Sequence, residues 1–194
     1  MKVYCILILC LISFTSCSND DNDDSTPSNL FTDTRDNQTY KLITLGSQTW
    51  FSQNLNFELE NGESKCYSDN LGNCFTYGRL YRGDDALTAC PEGFHLPSRE
   101  EWEELFDFLG GENVAHFFLG PYSEQQGEAI NFDLLAGGYY HGSYQQITEV
   151  GRYWTSTPTG LPDSNWYLQF EPEISTNFGG ASYGILMNCR CIKD

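Results

Sequence analysis

Residues 96–111, LPSREEWEELFDFLGG, form the clearest helical pattern in the chain. Ser98 and Glu101 have the spacing of a capping box, in which each side chain hydrogen-bonds a backbone N–H of the other residue. Gly110 is a typical helix stop. An apolar stripe at i, i+3, i+4 and i+7 predicts one buried face. It consists of Trp102, Leu105, Phe106 and Leu109.

The acidic residues of this helix have two interpretations. Glu100, Glu101, Glu103 and Glu104 crowd its first turns, where the helix dipole favours negative charge. We interpret them as a solvated, capped helix face rather than as catalytic carboxylates.

Short β segments flank the helix on both sides. TYKLITLGSQTWFSQNL predicts two strands, Tyr40–Leu45 and Gln48–Gln53, and RGDDALTACP predicts a short second helix. FDLLAGGYY, GRYWTST, NWYLQF and YGILMNCRCI indicate further strands, with long connections at 110–131 and 157–164. We therefore predict an α+β domain: a twisted antiparallel sheet with two helices and long loops.

The N-terminus has the features of a bacterial lipoprotein signal over residues 1–16. Lys2 precedes a run of apolar residues, 3–14, that is too short to span a bilayer. Thr15 and Ser16 then lead to Cys17, so we predict cleavage before Cys17 and lipid attached to it. Several acyl chains would hold the protein durably on a membrane. The alternative is an ordinary secretory signal with an incidental cysteine.

Residues 17–30 are predicted to be an acidic, disordered tether between the lipid and a domain at 31–194. The segment SNDDNDDSTPSN has no apolar side chain to bury. It resembles the surface-export signal of Bacteroidota-type lipoproteins, which implies the outer membrane and a domain facing the cell exterior. A solvated spacer is the alternative. The formal net charge of −17 argues against a nucleic-acid partner.

Five cysteines remain after the signal peptide and Cys17, and an exported chain meets conditions that favour disulfides. Cys66 and Cys74 flank a turn-rich loop, which favours a local disulfide. Cys90 then needs a distant partner, and Cys189 and Cys191 are two residues apart on a predicted strand, so only one of them can pair with it. Zinc binding is a rival interpretation, but there is no Cys-x₂-Cys or paired histidine to support it.

Several motifs occur together in a specific order. They are RDNQTYKLITLGSQTWFSQNLNF (35–57), CYSDNLGNCFTYGRLY (66–81), ACPEGFHLPSREEWEEL (89–105), LLAGGYY (134–140), GRYWTST (151–157) and the terminal RCIKD. In combination they resemble the Fibrobacter succinogenes major paralogous domain (FISUMP), a family of exported bacterial proteins, over residues 31–194. The resemblance implies a C-type-lectin-like fold whose N- and C-terminal strands lie side by side.

The same resemblance implies a disulfide pairing. It joins Cys90 to Cys191, leaves Cys189 as an extra thiol, and agrees with a local Cys66–Cys74 pair. The family has no established catalytic residues, so none can be transferred to this chain.

A lectin-like fold raises the question of calcium-dependent sugar binding. Asn165, Glu171 and Glu173 could offer oxygen ligands, but NWY and EPE do not match the calcium motifs of true lectins. We therefore predict no metal and no cofactor, and calcium-dependent binding stays an alternative. Calcium-free contact with a glycan would use exposed rings. The candidates are Tyr139, Tyr140, His141, Trp166 and Tyr167. Packing in the core is the competing role for these residues, because aromatic side chains bury large areas.

The chain does not have a recognisable catalytic set. His95 is expected to hydrogen-bond near the helix start, and neither His116 nor His141 has a partner at a readable spacing. No serine or cysteine has a nucleophile signature. The formylglycine-generating enzyme has the same lectin-like fold, but it uses paired reactive cysteines and copper, and Cys189 with Cys191 matches that poorly.

We predict a surface-exposed bacterial lipoprotein with a non-catalytic domain that binds a glycan or a cell-surface protein. One alternative is a structural envelope protein or a subunit of a surface assembly. An enzyme of unknown type is the other.

Overall fold

The computed structural model describes residues 29–121, 124–125, 128–172 and 174–194. The predicted signal peptide, Cys17 and nearly all of the predicted tether lie outside these ranges. The first strand begins at Leu30, one residue before the expected start of the domain. None of the helices in the described ranges is long and apolar enough to cross a bilayer.

The domain is a mixed α/β structure that consists mostly of sheet. Its described strands, numbered in chain order, are β1 Leu30–Thr32, β2 Thr39–Leu45, β3 Gln48–Phe51, β4 Ser64–Lys65, β5 Leu80–Arg82, β6 Phe94–His95, β7 Glu124–Gln125, β8 Glu128–Ala129, β9 Tyr139–Tyr140, β10 Tyr144–Gln145, β11 Gly151–Pro158, β12 Ser164–Glu171, β13 Ser175–Ser182, β14 Leu186–Asn188 and β15 Ile192–Lys193. The described helices are a 3₁₀ turn at Tyr67–Asp69, α1 Leu71–Tyr77, α2 Gly83–Ala86, α3 Arg99–Phe108 and α4 Glu112–Leu119.

The first sheet joins the two ends of the domain. Its strand order is β1-β2-β3-β15-β6, and every pairing is antiparallel. Ile192 in β15 pairs with Trp50 on one side and with His95 on the other. The end of the chain therefore closes a sheet that its first strands begin.

The second sheet is larger and curled. Its main path is β10-β9-β14-β11-β12-β13, and β5 and β4 continue it from the other edge of β14. All of its pairs are antiparallel except β11 with β14, where Tyr153 lies beside Asn188. The small hairpin of β7 and β8 is separate from both large sheets.

The central helix α3 confirms the sequence prediction. Ser98 Oγ accepts a hydrogen bond from Glu101 N at 3.1 Å, and Ser98 N donates to Glu101 Oε2 at 2.7 Å, so the capping box is complete. Gly110 and Gly111 follow with φ of 106° and 107°, a left-handed conformation that glycine adopts without strain. The short helix predicted in RGDDALTACP is also present as α2.

Two helices were predicted, and the described residues contain four α-helices. The prediction was wrong at 110–131, where α4 lies in a segment expected to be a connection, and between Cys66 and Cys74, where the 3₁₀ turn leads into α1. The strand predicted in YGILMNCRCI is also interrupted. Residues 189–191 lie between β14 and β15, yet Cys189 and Cys191 are both fully buried.

Two core clusters lie on opposite sides of β3, as strand alternation requires. Trp50 points into a cluster with Trp102 of α3, and neighbouring Phe51 points into a second cluster with Trp154 of β11. The three tryptophans are completely buried, as expected from their apolar surroundings in the sequence.

Two disulfides cross-link the domain. Cys66 is bonded to Cys74, and Cys90 is bonded to Cys191, which are the pairs that the family resemblance implies. Cys189 is free and buried. The first bond anchors α1 to the residue before the 3₁₀ turn, and the second connects the segment before β6 to the residue before the last strand.

Candidate functional site

The five aromatic residues predicted to bind a ligand do not form one surface. Tyr139 and Tyr167 are brought together by Arg152, whose guanidinium carbon lies 3.7 Å from the Tyr139 ring centre and 5.1 Å from that of Tyr167. We call these three residues the arginine clamp. Both rings also pack against the second core cluster, so their role is partly structural.

Tyr140 belongs to a different group. Its ring is 5.0 Å from Tyr144, which is in turn 5.0 Å from Tyr67. The ammonium of Lys65 lies 4.6 Å from the Tyr140 ring centre. Tyr144 Oη donates to Asp69 Oδ1 at 2.7 Å, and burial together with this carboxylate raises the pKa of Tyr144 to about 12.

His141 and Trp166 lie apart from both groups. His141 is exposed in the turn between β9 and β10. Trp166 stacks on Arg99 at the start of α3, at 4.8 Å. Consecutive residues in a strand point to opposite faces, which separates Tyr139 from Tyr140 and Trp166 from Tyr167.

The three residues considered as calcium ligands do not form a described metal site. Asn165 is 2 % exposed, and its amide donates to Thr155 O while its Oδ1 accepts from Tyr183 Oη. Glu171 Oε1 accepts from Gln169 Nε2 at 2.7 Å. Glu173 lies outside the described residues. Within the described ranges, histidine, cysteine and acidic side chains form no cluster of three placed to hold a metal ion.

The structure also forms a polar cleft that the sequence did not indicate. The cleft has a volume of about 490 Å³ and lies between the start of β2, the chain after β3, helix α1 and residues 131–135. Asp133 is the only charged residue in the lining that the structure describes, and Phe75 of α1 lines it while remaining 83 % exposed. We call it the amide cleft after the side chains it presents. These are Gln38, Gln53, Asn54, Asn56 and Asn131.

Hydrogen bonds hold several of these amides in fixed orientations. Asn56 Nδ2 donates to Gln38 Oε1 at 2.9 Å, and Gln38 Nε2 donates to Asn56 O at 2.9 Å. Gln38 Nε2 also contacts Asp36 Oδ2. Gln53 Oε1 accepts from Lys41 N at 2.8 Å. The amide wall is therefore arranged before any ligand arrives, which lowers the ordering cost of binding.

A buried arginine fixes the back of the cleft. Arg190 is fully buried, and its Nη atoms donate to four oxygens at 2.7–3.1 Å. The acceptors are Phe51 O, Phe132 O, Asn54 Oδ1 and Asp133 O. Arg190 has no ion-pair partner within the described part of the chain, and burial lowers the pKa of its guanidinium. Arg190 therefore joins the strand that precedes the cleft to the segment that forms the opposite wall.

A wider groove of about 870 Å³ adjoins the cleft and shares Asn131 and Asp133 with it. Its remaining wall is mainly β2, with Phe108 and Ile130. It presents fewer side-chain amides than the amide cleft, which makes it the weaker candidate for a hydroxyl-rich ligand.

The described histidines and the free thiol do not form a catalytic pair. His95 Nε2 lies 2.8 Å from Glu101 Oε1 and its Nδ1 lies 2.7 Å from Asp194 Oδ1, so His95 connects the capping box to the residue after β15. His116 is 7 % exposed and its ring stacks on Phe117. Burial raises the pKa of Cys189 well above its ordinary value, which keeps the thiol protonated and unreactive.

Comparisons with known proteins identify the family. No curated protein and no solved structure matches the chain. The family model of the Fibrobacter succinogenes major domain matches residues 43–193, which is more than half of the sequence. The matched region includes both disulfides, the capped helix α3 and most of the amide cleft. The chain therefore belongs to the Fibrobacter succinogenes major domain family.

Proposed function

We propose that this protein is an outer-membrane lipoprotein that faces the cell exterior and binds a neutral glycan in the amide cleft. The observation that supports this most directly is Phe75, a largely exposed aromatic ring in a cleft whose walls are side-chain amides. Phe75 has the highest exposed fraction among the large apolar side chains of the described residues, and it adjoins fixed polar groups.

The chemistry of the cleft matches that of a sugar. A side-chain amide carries both donors and an acceptor, which suit hydroxyl groups. Gln38 and Asn54 already use theirs within the protein, whereas the Nε2 donors of Gln53 have no partner among the described residues. The flat face of Phe75 can cover the apolar face of a pyranose ring. A volume of about 490 Å³ falls within the range of about 300–1,000 Å³ that is typical of small-ligand sites.

The charge of the cleft favours a neutral ligand. Among the described lining residues Asp133 is the only charged one, and the whole chain carries a formal charge of −17. An anionic glycan would therefore be repelled at this site, whereas a neutral one brings hydroxyl groups from which the Asp133 carboxylate can accept hydrogen bonds.

A glycan array tests this proposal. The full chain, purified in detergent under oxidising conditions, is screened with calcium and again with chelator. We expect binding to neutral glycans in both conditions. F75A should weaken it at least tenfold, whereas F117A, a change at another exposed phenylalanine, should leave it unchanged. Binding lost with chelator would contradict the proposal and favour a calcium-dependent site. No binding in either condition would favour a structural role in the envelope.

A protein ligand is a second candidate, because Leu71 is also exposed, at 63 %, one helical turn before Phe75. L71A distinguishes the two. A glycan stacked on Phe75 should bind L71A as it binds the unmodified chain, whereas a protein that covers both side chains should lose affinity with either substitution.

The membrane anchor and the fold are part of the same proposal. The lipid on Cys17 is supported by the apolar run and small residues that precede it. A C-type-lectin-like fold is supported by the pairing of β15 with β3, which places strands from both ends side by side. C17A should release the protein from membranes, and an unchanged membrane fraction would exclude the anchor.

A further inference from the structure

Arg152 is unusual among the half-exposed arginines of this acidic chain. The chain has 27 acidic and ten basic residues, so carboxylates are plentiful. Apart from the buried Arg190, the other arginines use them, in the ion pairs Arg35–Asp33, Arg79–Glu58, Arg82–Asp84 and Arg99–Glu103. Over the described ranges, Arg152 has no carboxylate within ion-pair distance.

The guanidinium of Arg152 is nevertheless held in place. Its Nε donates to Gln169 Oε1 at 3.0 Å, and Gln169 Nε2 donates in turn to Glu171 Oε1 at 2.7 Å. The rings of Tyr139 and Tyr167 fix its plane. Both Nη groups are left without a hydrogen-bond partner in the described structure, so their donors are available to a ligand.

The strands beneath the clamp explain why it is rigid. Arg152 lies opposite Gln169 in the β11–β12 register, and Trp154 lies opposite Tyr167. Gly179 of β13 pairs with Tyr167, and a Cβ at Gly179 would lie 2.5 Å from Tyr167 Oη. The tyrosine ring therefore rests against the backbone of β13, which only glycine permits. Binding groups placed on strands in this way are held more firmly than groups on loops.

We propose that the arginine clamp is a second binding site, which takes the carboxylate of a uronic acid in an acidic saccharide. A guanidinium with a free pair of Nη donors forms two parallel hydrogen bonds with a planar carboxylate. Stacking on Tyr139 and Tyr167 fixes the plane of the guanidinium and leaves the edge that carries the two Nη groups open. The proposal is independent of the amide cleft, since none of the three clamp residues is part of its described lining.

The surroundings of the clamp favour a sugar with sparse charge over a polyanion. Glu171 lies next to Gln169, and the whole domain is strongly acidic, so a ligand with many negative charges would be repelled. A uronic acid brings one carboxylate for Arg152 and several hydroxyl groups. Those hydroxyls can donate to Glu171 and exchange hydrogen bonds with the phenol groups of the clamp.

A matched pair of disaccharides tests the proposal by calorimetry on the full chain in detergent. One ends in glucuronic acid and the other in glucose. We expect the acidic disaccharide to bind at least tenfold more tightly, with an affinity that falls as salt is added. R152Q should abolish the preference, because glutamine cannot supply the charge. R82Q, which removes another half-exposed arginine, should retain it.

A second variant separates the effect of the tyrosine rings from the effect of the arginine charge. Y139L keeps the arginine but removes its closer stacking ring, and it should reduce the affinity for the acidic disaccharide several-fold. Thermal unfolding of each variant checks that the domain is intact. If R152Q is unstable, R152K serves instead: it keeps the charge, cannot form the paired hydrogen bonds, and should lose most of the preference.

Three results would overturn the proposal. The first is equal binding of the two disaccharides, and the second is a preference that persists in R152Q. The third is tighter binding of an acidic peptide or a heavily sulfated oligosaccharide, which would assign the clamp to another ligand class. Failure here is distinguishable from failure of the amide cleft, since R152Q leaves Phe75 and the neutral-glycan test untouched.

Discussion

Replacing Arg190 by methionine is the sharpest test of how the domain is held together. Methionine fills much of the same space with apolar atoms but has no donors. The four oxygens now bound by the guanidinium would stay buried and would lose their partner. Three of them are backbone carbonyls, so no other side-chain change can remove them.

The expected magnitude follows from these bonds. At about 1.5–3 kcal/mol for each hydrogen bond to a charged group, the four bonds are worth about 6–12 kcal/mol. Removing the guanidinium also removes its desolvation penalty of several kcal/mol. We therefore expect R190M to lower the free energy of unfolding by about 3–5 kcal/mol, a large part of the 5–15 kcal/mol that is usual for a domain.

Urea unfolding with intact disulfides measures this loss, and the buried tryptophans report the transition by fluorescence. R82M is the matched control: Arg82 is 45 % exposed and pairs with Asp84 at the surface, so its loss should change stability by less than about 1 kcal/mol. An R190M protein within about 1 kcal/mol of the unmodified chain would refute the reasoning. It would mean that water or a shifted backbone satisfies the four oxygens.

Two further predictions concern the disulfides and the hydrogen bonds of His95. Replacing Cys90 and Cys191 by serine breaks a bond between residues 101 apart and should lower the free energy of unfolding by about 4–5 kcal/mol on the chain-entropy model. Replacing Cys66 and Cys74, which are eight apart, should lower it by about 2–3 kcal/mol. Urea midpoints that rank the two pairs in the opposite order would contradict this. Burial lowers the pKa of His95, but hydrogen bonds to its two carboxylate partners outweigh it, and the net pKa is raised. The charged His95 side chain therefore stabilises the fold fully below its unfolded-state pKa of about 6.5, and this stabilisation is lost as the pH rises through its higher pKa in the folded state. H95Q should lower the Tm more at pH 5.5 than at pH 8.5, and an equal effect at both values would exclude the charged bridge.

Local signals account for the parts of the fold that the sequence predicted. Helix α3 has its cap, its apolar stripe and its glycine stop within one short segment, so no distant contact is needed to recognise it. Helix α4 ends at Gly120 but lacks a side-chain cap at its start. Its N-cap is Gly111, which has no side chain to cap it, and two consecutive glycines before it look like the start of a loop. In α1 a signal was present, because Asn70 caps the helix by accepting from Gly72 N at 2.8 Å. The turn-forming residues around it led instead to the prediction of a loop between Cys66 and Cys74.

The candidate sites required the tertiary structure. The amide cleft is assembled from residues 38–56, helix α1 and residues 131–135, which have no pattern in common. Arg190 stands between two cysteines and gives no sign in the sequence that carbonyls from distant segments surround it. The residues considered for contact with a glycan include two pairs of sequence neighbours, 139–140 and 166–167. Strand alternation divides both pairs, and only Tyr139 and Tyr167 meet.

The position of β15 has a consequence for how the chain matures. Ile192 and Lys193 fill the gap between β3 and β6, so neither strand has its inner partner until residue 192 is free to fold. Until then, both strands expose backbone donors and acceptors that can pair with another chain. A nascent or truncated polypeptide that ends before this point is therefore the aggregation-prone species, and the finished domain is not. Any shortening of the C-terminus by a few residues should be expected to affect yield before it affects binding.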